Sequence, residues 1–488
     1  MNKSLDIESS SGMTFDQNCA RKSFIKWLEN SSKEPFVLSG YAGSGKTYLA
    51  MKFLGLVELK ELCWTVVAPT HKAVGVLRKA LLVEGLRPTW YPSTVHRLLR
   101  LKLKRNGYEE LYKETGQTEK ALEQLDLVLI DECSMIDSTL LEIILKCAHA
   151  FKTRLVFVGD PAQLPPVGEA QSPVFSLNRS VTTQLREVVR HQGPVLQLAN
   201  CIREGVIPCY VPPCVPVVRT SQGLVASVDK MSWLNKAKKA LRAASEQENP
   251  DSARILCYTN RVLERLVPHA RRAIHGDMAD QLPVLPGEVL ITRKPVMAAA
   301  SANGIGVGED PDMLISSNRE MVVTDVLPEI CDTFDFISTD DYDIKAPVIE
   351  TLVANVRCEE KEFSIRLLPQ AWSDSRKLLD DFLKELTLIA KTAPNKQGKR
   401  FWRNYFFIRD SFASVGPASV LTVHRSQGST FENVFVSSDV FWPNDMCLRK
   451  QLLYVAVSRA SHQVWFAGNT KNESSDSIWK DQLKLFLD

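Results

Sequence analysis

Short, largely apolar runs recur through the first third of the chain: Phe36-Val37-Leu38, Trp64 to Ala68, Leu127 to Ile130 and Leu155 to Val158. Unbroken apolar runs, as opposed to alternating ones, mark strands covered on both faces. Segments with helical spacing lie between them, so the pattern predicts strand–helix alternation and a parallel sheet with crossover helices. A second set starts at Arg254-Ile255-Leu256-Cys257-Tyr258 and resumes only at Val434-Phe435-Val436 and Val464-Trp465-Phe466. That interruption predicts a second α/β core split by an insertion.

The insertion spans roughly Leu285 to Ser414, with alternating stretches at Glu288 to Thr292, Glu320 to Val326 and Val348 to Val356 and a Gly/Pro/Asp-rich loop at Gly304 to Asp312. Alternation of this kind fits a small β-barrel. Glu329 to Asp343 carries six acids and no base, which reads as a solvated loop facing away from any polyanion. Lys391 to Arg409 has six bases and no acid, interleaved with Phe401, Trp402, Tyr405, Phe406 and Phe407. Such a mixture suits single-strand binding, or else the aromatics pack the insertion. Read as a strand, it sends alternate residues to opposite faces, and only part of the set reaches a nucleic acid.

A smaller insertion sits at Leu98 to Glu119. Leu101-Lys102-Leu103-Lys104 alternates, Asn106-Gly107 follows and Tyr108 begins the return, which is a strong hairpin signal. Arg97, Arg100, Lys102, Lys104 and Arg105 bring five positive charges before the turn, with no acid among them. Val206 to Pro216 is Pro-rich and reads as a linker.

At 488 residues the chain is long enough for about three domains. A 44% hydrophobic and 24% charged composition excludes global disorder, and a net charge of +3 excludes a cationic coat, so any nucleic-acid surface is a local patch. Eleven scattered cysteines, an odd number, argue against a disulfide framework and for a reducing cytoplasm. Cys201, Cys209 and Cys214 cluster but lack the second pair or histidine that zinc needs. Met1 to Gly12 is polar, without a signal-peptide core, and no 18-residue apolar run predicts a membrane span.

The sharpest chemistry lies after the first strand. Gly40-Tyr41-Ala42-Gly43-Ser44-Gly45-Lys46-Thr47 matches the phosphate-binding loop G-x-x-x-x-G-K-[ST] between a strand and a helix. Gly40, Gly43, Ser44 and Gly45 let backbone N–H groups close on phosphate oxygens, aided by the helix N-terminus. Lys46 reaches the β- and γ-phosphates of ATP, and the Thr47 hydroxyl ligates Mg²⁺. Asp131-Glu132 ends the apolar strand Leu127 to Ile130. Asp131 is placed to hold the Mg²⁺ through water and Glu132 to deprotonate an attacking water, which points to hydrolysis.

Further motifs follow in order along the chain. They are Thr14-Phe15-Asp16-Gln17, Ala68-Pro69-Thr70-His71-Lys72-Ala73, Ser93-Thr94-Val95-His96 and Asp131-Glu132-Cys133-Ser134-Met135. After these come Gly159-Asp160-Pro161-Ala162-Gln163-Leu164-Pro165-Pro166, Leu185 to Arg190, Leu421 to Thr430 and Leu453 to Ala460. In these motifs the chain resembles the superfamily 1 helicases of the 5′→3′ branch, the Dda-like and RecD-like helicases, from Thr14 to Ala467. The resemblance implies an adenine contact for Gln17, single-strand contacts for Thr70, His71, Lys72, His96, Thr422 and His424, and nucleotide contacts for Gln427 and Gly428. It makes Gln163 the γ-phosphate sensor, Arg190 a phosphate-contacting arginine and Arg459 the arginine finger. His424-Arg425 stands where many relatives have His-Lys, and Val457-Ser458-Arg459 where many have Thr before the Arg; neither removes a needed charge or hydroxyl.

The implied architecture is α/β, with two RecA-like parallel-sheet cores. Residues 1–97 and 120–185 form the first core, and residues 186–284 and 415–488 the second. Residues 98–119 form a β-hairpin pin, and residues 285–414 an SH3-like β-barrel insertion. The implied activity is ATP-dependent 5′→3′ translocation on single-stranded DNA with strand separation. The hairpin would be the wedge, Lys104 and Arg105 holding phosphates and Tyr108 meeting the last base pair. ATP and Mg²⁺ are the implied cofactors. Single strands, single-strand/duplex junctions and replication or recombination proteins are the implied partners of a cytoplasmic monomer that makes no membrane contact. An RNA helicase, or a translocase that remodels complexes without unwinding DNA itself, uses the same residues.

Overall fold

The computed structural model describes residues 12–30, 33–106, 109–187, 193–205, 218–302, 313–337 and 345–468. The apolar runs become β1 (Phe36–Gly40), β2 (Trp64–Ala68), β6 (Leu127–Ile130) and β7 (Arg154–Gly159). Short β3 (Ser93–Thr94) and β8 (Val181–Leu185) join them, and β4 (Lys102–Asn106) and β5 (Glu109–Lys113) stand apart as a hairpin. The six-stranded sheet runs β3-β2-β6-β7-β1-β8 with every pairing parallel.

Its period-two alternation explains the unbroken runs. Phe36, Leu38, Val66, Leu129 and Val156 face a core with helices α1 (Phe15–Glu29), α2 (Lys46–Leu59) and α3 (His71–Glu84). Val37, Val67, Val128, Ile130 and Phe157 face the other core, with α4 (Val95–Leu98) and α5 (Ser138–Phe151). Both faces are covered, as a parallel sheet requires. Phe24 of α1 stacks on Phe53 of α2 at 4.0 Å and meets Phe36 edge-on at 5.3 Å, fixing both helices against β1.

A second six-stranded sheet has the order Val420–Thr422, Ala253–Cys257, Phe431–Val436, Ala460–Gly468, Gly223–Asp229, Val218–Thr220. Ala460–Gly468 pairs in parallel with both its neighbours, and the Val218–Thr220 edge pairs antiparallel with Gly223–Asp229. Helices α6 (Pro194–Glu204) and Met446–Ser458 accompany this sheet, the latter carrying the buried run Leu452 to Val457. The chain divides into two compact units, one of Met1–Asn235, Ile255–Thr259 and Thr422–Asp488, the other of Lys236–Arg254 and Asn260–Leu421.

In the second unit an antiparallel five-stranded sheet runs Lys361–Arg366, Val348–Cys358, Glu320–Asp332, Val289–Thr292, Val415–Pro417. The two edges of this sheet are bridged: Ala413 N donates to Arg366 O at 2.7 Å and Leu368 N to Ala413 O at 3.0 Å, just before Val415–Pro417. Two readings of the sequence are corrected here. The acidic run begins inside a strand, where Glu329 accepts from Arg366 Nη2 at 2.9 Å, so Glu329 is an ion-pair partner and not loop charge. The basic–aromatic stretch is helical: Asp374–Thr392 and Asn395–Asp410 pair as antiparallel neighbours. Helical spacing brings Phe401, Tyr405, Ile408 and Phe412 onto one stripe against Leu379, Phe382 and Leu386, so much of the aromatic set is core.

Candidate nucleotide and nucleic-acid site

The loops at the carboxyl edge of the first sheet carry the chemistry, the usual place for ligands on a parallel sheet. β1 ends in the loop Tyr41–Gly45, which opens α2. Gly45 sits at φ +80° as the N-cap, and a Cβ there would lie 2.6 Å from Gln17 Nε2. A Cβ on Gly40 would meet Ser44 Oγ at 2.7 Å. Glycine is therefore required at both positions. Lys46 Nζ folds back onto the Gly40 and Tyr41 carbonyls at 3.0 and 2.9 Å, spanning the cradle that its neighbours form.

Gln17 does more than its motif implies. Its Oε1 accepts from Thr14 N at 3.1 Å, closing the capping box of α1, while its Nε2 donates to Ser44 O at 3.0 Å. It is buried, and it ties the start of α1 to the phosphate loop.

Asp131 and Glu132 leave the end of β6 as expected. Glu132 takes a left-handed φ of +52°, and its N–H donates to Asp131 Oδ1 at 2.8 Å. Burial, reinforced by the Glu132 carboxylate, pushes the Asp131 carboxyl up to about 7, against the opposing pull of Lys46. A divalent cation would relieve that cost, so the donor set fits Mg²⁺. Ser44 Oγ, Ser134 Oγ and Gln163 Oε1 are buried and have no hydrogen-bond partner among the described residues. They come from the phosphate loop, the turn after Glu132 and the loop after β7. Buried polar atoms of this kind call for a polar ligand.

A buried network joins this edge to the second sheet's helices. Asp160 follows β7 and is fully buried. Its Oδ1 takes a donor from Arg203 Nη1 of α6 and another from Ala162 N at 3.0 Å, and its Oδ2 accepts from the Tyr454 hydroxyl at 2.6 Å. That hydroxyl in turn accepts from Ala42 N of the phosphate loop at 2.9 Å and from Arg203 Nη1 at 3.3 Å. The Arg203 guanidinium also lies 3.9 Å from the centre of the Tyr41 ring. Asp160 offsets the burial of Arg203 and holds its pKa above the ordinary value, while burial raises that of Tyr454, so the guanidinium is charged and the phenol neutral.

Arg459 is buried and donates to Ser429 O at 3.1 Å, Val455 O at 3.3 Å and Ser458 Oγ at 3.1 Å, all on its own side. Gln427 is buried and donates through Nε2 to Leu164 O at 3.2 Å, one residue past Gln163. A Cβ built on Gly428 (φ +73°) would lie 3.5 Å from Ala73 Cβ and 3.6 Å from Thr70 Oγ1. The segment after Thr422 and the start of α3 are therefore in close apposition. Lys72 Nζ sits 5.0 Å from the Phe431 ring centre. Thr70 caps α3 through its hydroxyl, leaving His71 and Lys72 in the first turn. Thr422 is buried at the end of its strand, and His424 sits 6.1 Å from the Tyr258 ring. His96 packs 4.3 Å from the Tyr112 ring. Burial lowers the pKa of His96 and of His424, which favours neutral imidazoles.

The AAA domain family matches residues 18–209 and the UvrD-like helicase C-terminal domain family residues 417–467. Over 483 residues the chain is 26% identical to the ATP-dependent DNA helicase dda of Enterobacteria phage T4, covering 93% of this chain and 100% of that protein. It is 33% identical over 177 residues to the ATP-dependent RecD2 DNA helicase of Deinococcus radiodurans, covering 36% of this chain and 22% of that one. In these matches the chain is similar to superfamily 1 helicases of the Dda and RecD kind. Among solved structures, Pif1 helicase from Bacteroides in complex with ADP-AlF3 and ssDNA is similar at 16% identity and a TM-score of 0.47, covering 93% of this chain and 92% of that one.

In this chain the sequence motifs converge where the sheets' loops meet, with exceptions. Arg190 and Tyr108 lie outside the described residues, as does the Pro-rich stretch from Val206 to Pro216. Lys104 and Arg105 lie on β4, paired with Leu111 and Glu110 across the hairpin. The reading of the motifs passed over Arg203 and gave no role to Asp160 or Tyr454. Tyr454 carried a signal: one hydroxyl inside the buried run Leu452 to Val457 has to find a partner. Arg203 carried none, because a single arginine near a helix end is ordinary.

Proposed function

We propose that this chain is an ATP-dependent DNA helicase that translocates 5′→3′ on single strands and separates duplex ahead of it. The observation that carries the reading is the Asp160–Tyr454–Ala42 network. It makes the geometry of the phosphate loop depend on a helix of the second sheet.

In this reading Lys46 and the N–H groups of Gly43 to Thr47 bind the ATP phosphates. Thr47 and Asp131 would hold Mg²⁺, which would supply positive charge against the phosphates. Glu132 takes the proton of the attacking water. Arg459 leaves the Ser429 carbonyl to meet the charge that develops at the γ-phosphate, and Arg190 assists. Gln163 donates from its amide nitrogen to the γ-phosphate and, through the Leu164–Gln427 contact, passes its position to the segment that carries Thr422 and His424. Thr70, His71, Lys72, His96, Thr422 and His424 hold the strand by backbone contacts that do not depend on sequence. The hairpin of residues 98–119 is the wedge, with Lys104, Arg105 and Tyr108 at its working end. The monomer acts at single-strand/duplex junctions.

Unwinding of duplexes carrying a 5′ or a 3′ single-stranded tail, with ATP and Mg²⁺ and with Lys46→Ala as control, tests this. Opening of the 5′-tailed substrate alone is expected. Opening from the 3′ tail would overturn the polarity. Strand-stimulated ATPase without opening of either would make the protein a remodelling translocase, and stimulation by RNA but not DNA would make it an RNA helicase.

A further inference from the structure

Beside the proposed strand track lies a cleft that the motifs only border, at Ser93. It measures about 230 Å³, and its lining includes Trp90, Tyr91, Pro92, Ser93, Arg97 and Arg100. We infer that it is a stacking subsite for one unpaired nucleotide of the bound single strand; the inference rests on the DNA-helicase reading above.

The segment is built as a rigid platform. Trp64 N donates to Thr89 Oγ1 at 3.0 Å, Thr89 N donates to Trp64 O at 2.8 Å, and Thr65 Oγ1 donates to Trp90 O at 2.8 Å. Those bonds pin residues 89–90 to β2. Trp90 is half-buried against the core beneath. Tyr91 is 74% exposed. The Arg78 guanidinium lies 4.4 Å from its ring centre while Arg78 Nη2 donates to Pro92 O at 2.9 Å. One side of the Tyr91 ring is thereby held by a cation that is itself anchored, and the ring is otherwise open to solvent. An aromatic face fixed in this way costs little entropy to stack upon, and any base has a π-face to offer.

Size and charge narrow the ligand. The volume falls below the roughly 300–1,000 Å³ of pockets that enclose drug-sized molecules, so it accepts one ring system and not a folded ligand. The lining contains two arginines and no acid. A base on Tyr91 would therefore have its phosphates within a basic rim. The cleft is also continuous with the track: Ser93 precedes Thr94, whose hydroxyl caps the short helix carrying His96. Arg100 stands at its other end, two residues before the hairpin strand β4.

The test measures binding of a fluorescent oligo-dT to the full chain without nucleotide, alongside a set of the same oligo with one abasic position moved along it. Wild type is expected to show one position where loss of the base weakens binding. Tyr91→Ala is expected to bind intact oligo about 5- to 150-fold more weakly, the equivalent of the roughly 1–3 kcal/mol of one stacked base, and to lose that positional dependence. Tyr91→Phe should bind as wild type does. Arg97→Gln should reduce the salt slope by about one. Thermal melts check the fold of each variant, and the abasic series on wild type needs no variant at all. A wild type that binds no single strand would overturn the helicase reading itself. A wild type that binds but is indifferent to every abasic position, or a folded Tyr91→Ala that binds equally well, would overturn the subsite alone.

Discussion

Replacing Arg203 by Met keeps most of the side chain's length and removes its charge. Asp160 would then stay fully buried with two donors, Ala162 N and the Tyr454 hydroxyl, but no cation. Removing one partner of a buried ion pair typically costs about 3–5 kcal/mol. The two surviving hydrogen bonds place this case near the bottom of that range, about 3 kcal/mol. For a unit of about 300 residues, at roughly 2.1 cal/mol/K per residue, that corresponds to a fall in melting temperature of about 5 °C. The assay is thermal and urea unfolding of the nucleotide-free protein, followed by tryptophan fluorescence and circular dichroism together, because a chain of two units can unfold in steps. Arg203→Met combined with Asp160→Asn should be less destabilised than the two single losses added, by about 1–3 kcal/mol, since the second change removes the stranded charge. If Arg203→Met costs less than about 1 kcal/mol and the two changes simply add, the carboxylate does not depend on the arginine and the network does not hold the phosphate loop.

Gly45→Ala forces a side chain into a left-handed backbone and against Gln17 Nε2, so it should lower ATP affinity at least about tenfold and destabilise the fold by about 1–2 kcal/mol, read by nucleotide titration and melting. Arg459→Ala should reduce kcat for strand-stimulated ATP hydrolysis by about 10³–10⁵ with a much smaller change in KM; a raised KM with kcat unchanged would mean it acts only in binding. The lowered pKa of His424 implies that the unfolded chain takes up its proton first as pH falls through the ordinary imidazole value. The stability this group contributes is therefore present at pH 7 and above and is lost as pH drops below about 6.5. Melts from pH 7.5 to 5.5 should fall less steeply for His424→Gln than for wild type.

The first sheet was legible because each strand had to be apolar on both faces: Trp64–Ala68 and Leu127–Ile130 begin and end where the runs do. The phosphate loop was legible because few residue types can fold so tightly around phosphates. The antiparallel pairing of β4 and β5 was legible from local chemistry alone, in the alternation Leu101 to Lys104 followed by Asn-Gly in the sequence. The helix Asn395–Asp410 was misread because Phe401, Trp402, Tyr405, Phe406 and Phe407 all favour strands. Tertiary packing overrode that preference: Phe401, Tyr405, Ile408 and Phe412 recur at helical spacing, and Leu379, Phe382 and Leu386 of the preceding helix give them a surface to bury. Arg203 was beyond reach for another reason. Its partner is Asp160, and nothing local in either segment announces a pairing that only the folded chain creates.

The hydrogen bond from Ala42 to Tyr454 spans 412 positions of sequence. At a synthesis rate of about 5–20 residues per second, the phosphate loop leaves the ribosome roughly 20–80 s before the tyrosine that completes it. During that interval the nascent first sheet holds the loop glycines and Lys46, but Asp160 has no phenol. The loop is therefore finished last although it is made early. A chain cut short before Tyr454 would be a loop without its clasp and a buried acid without its full set of donors, which disposes the fragment to degradation over wasteful turnover of ATP.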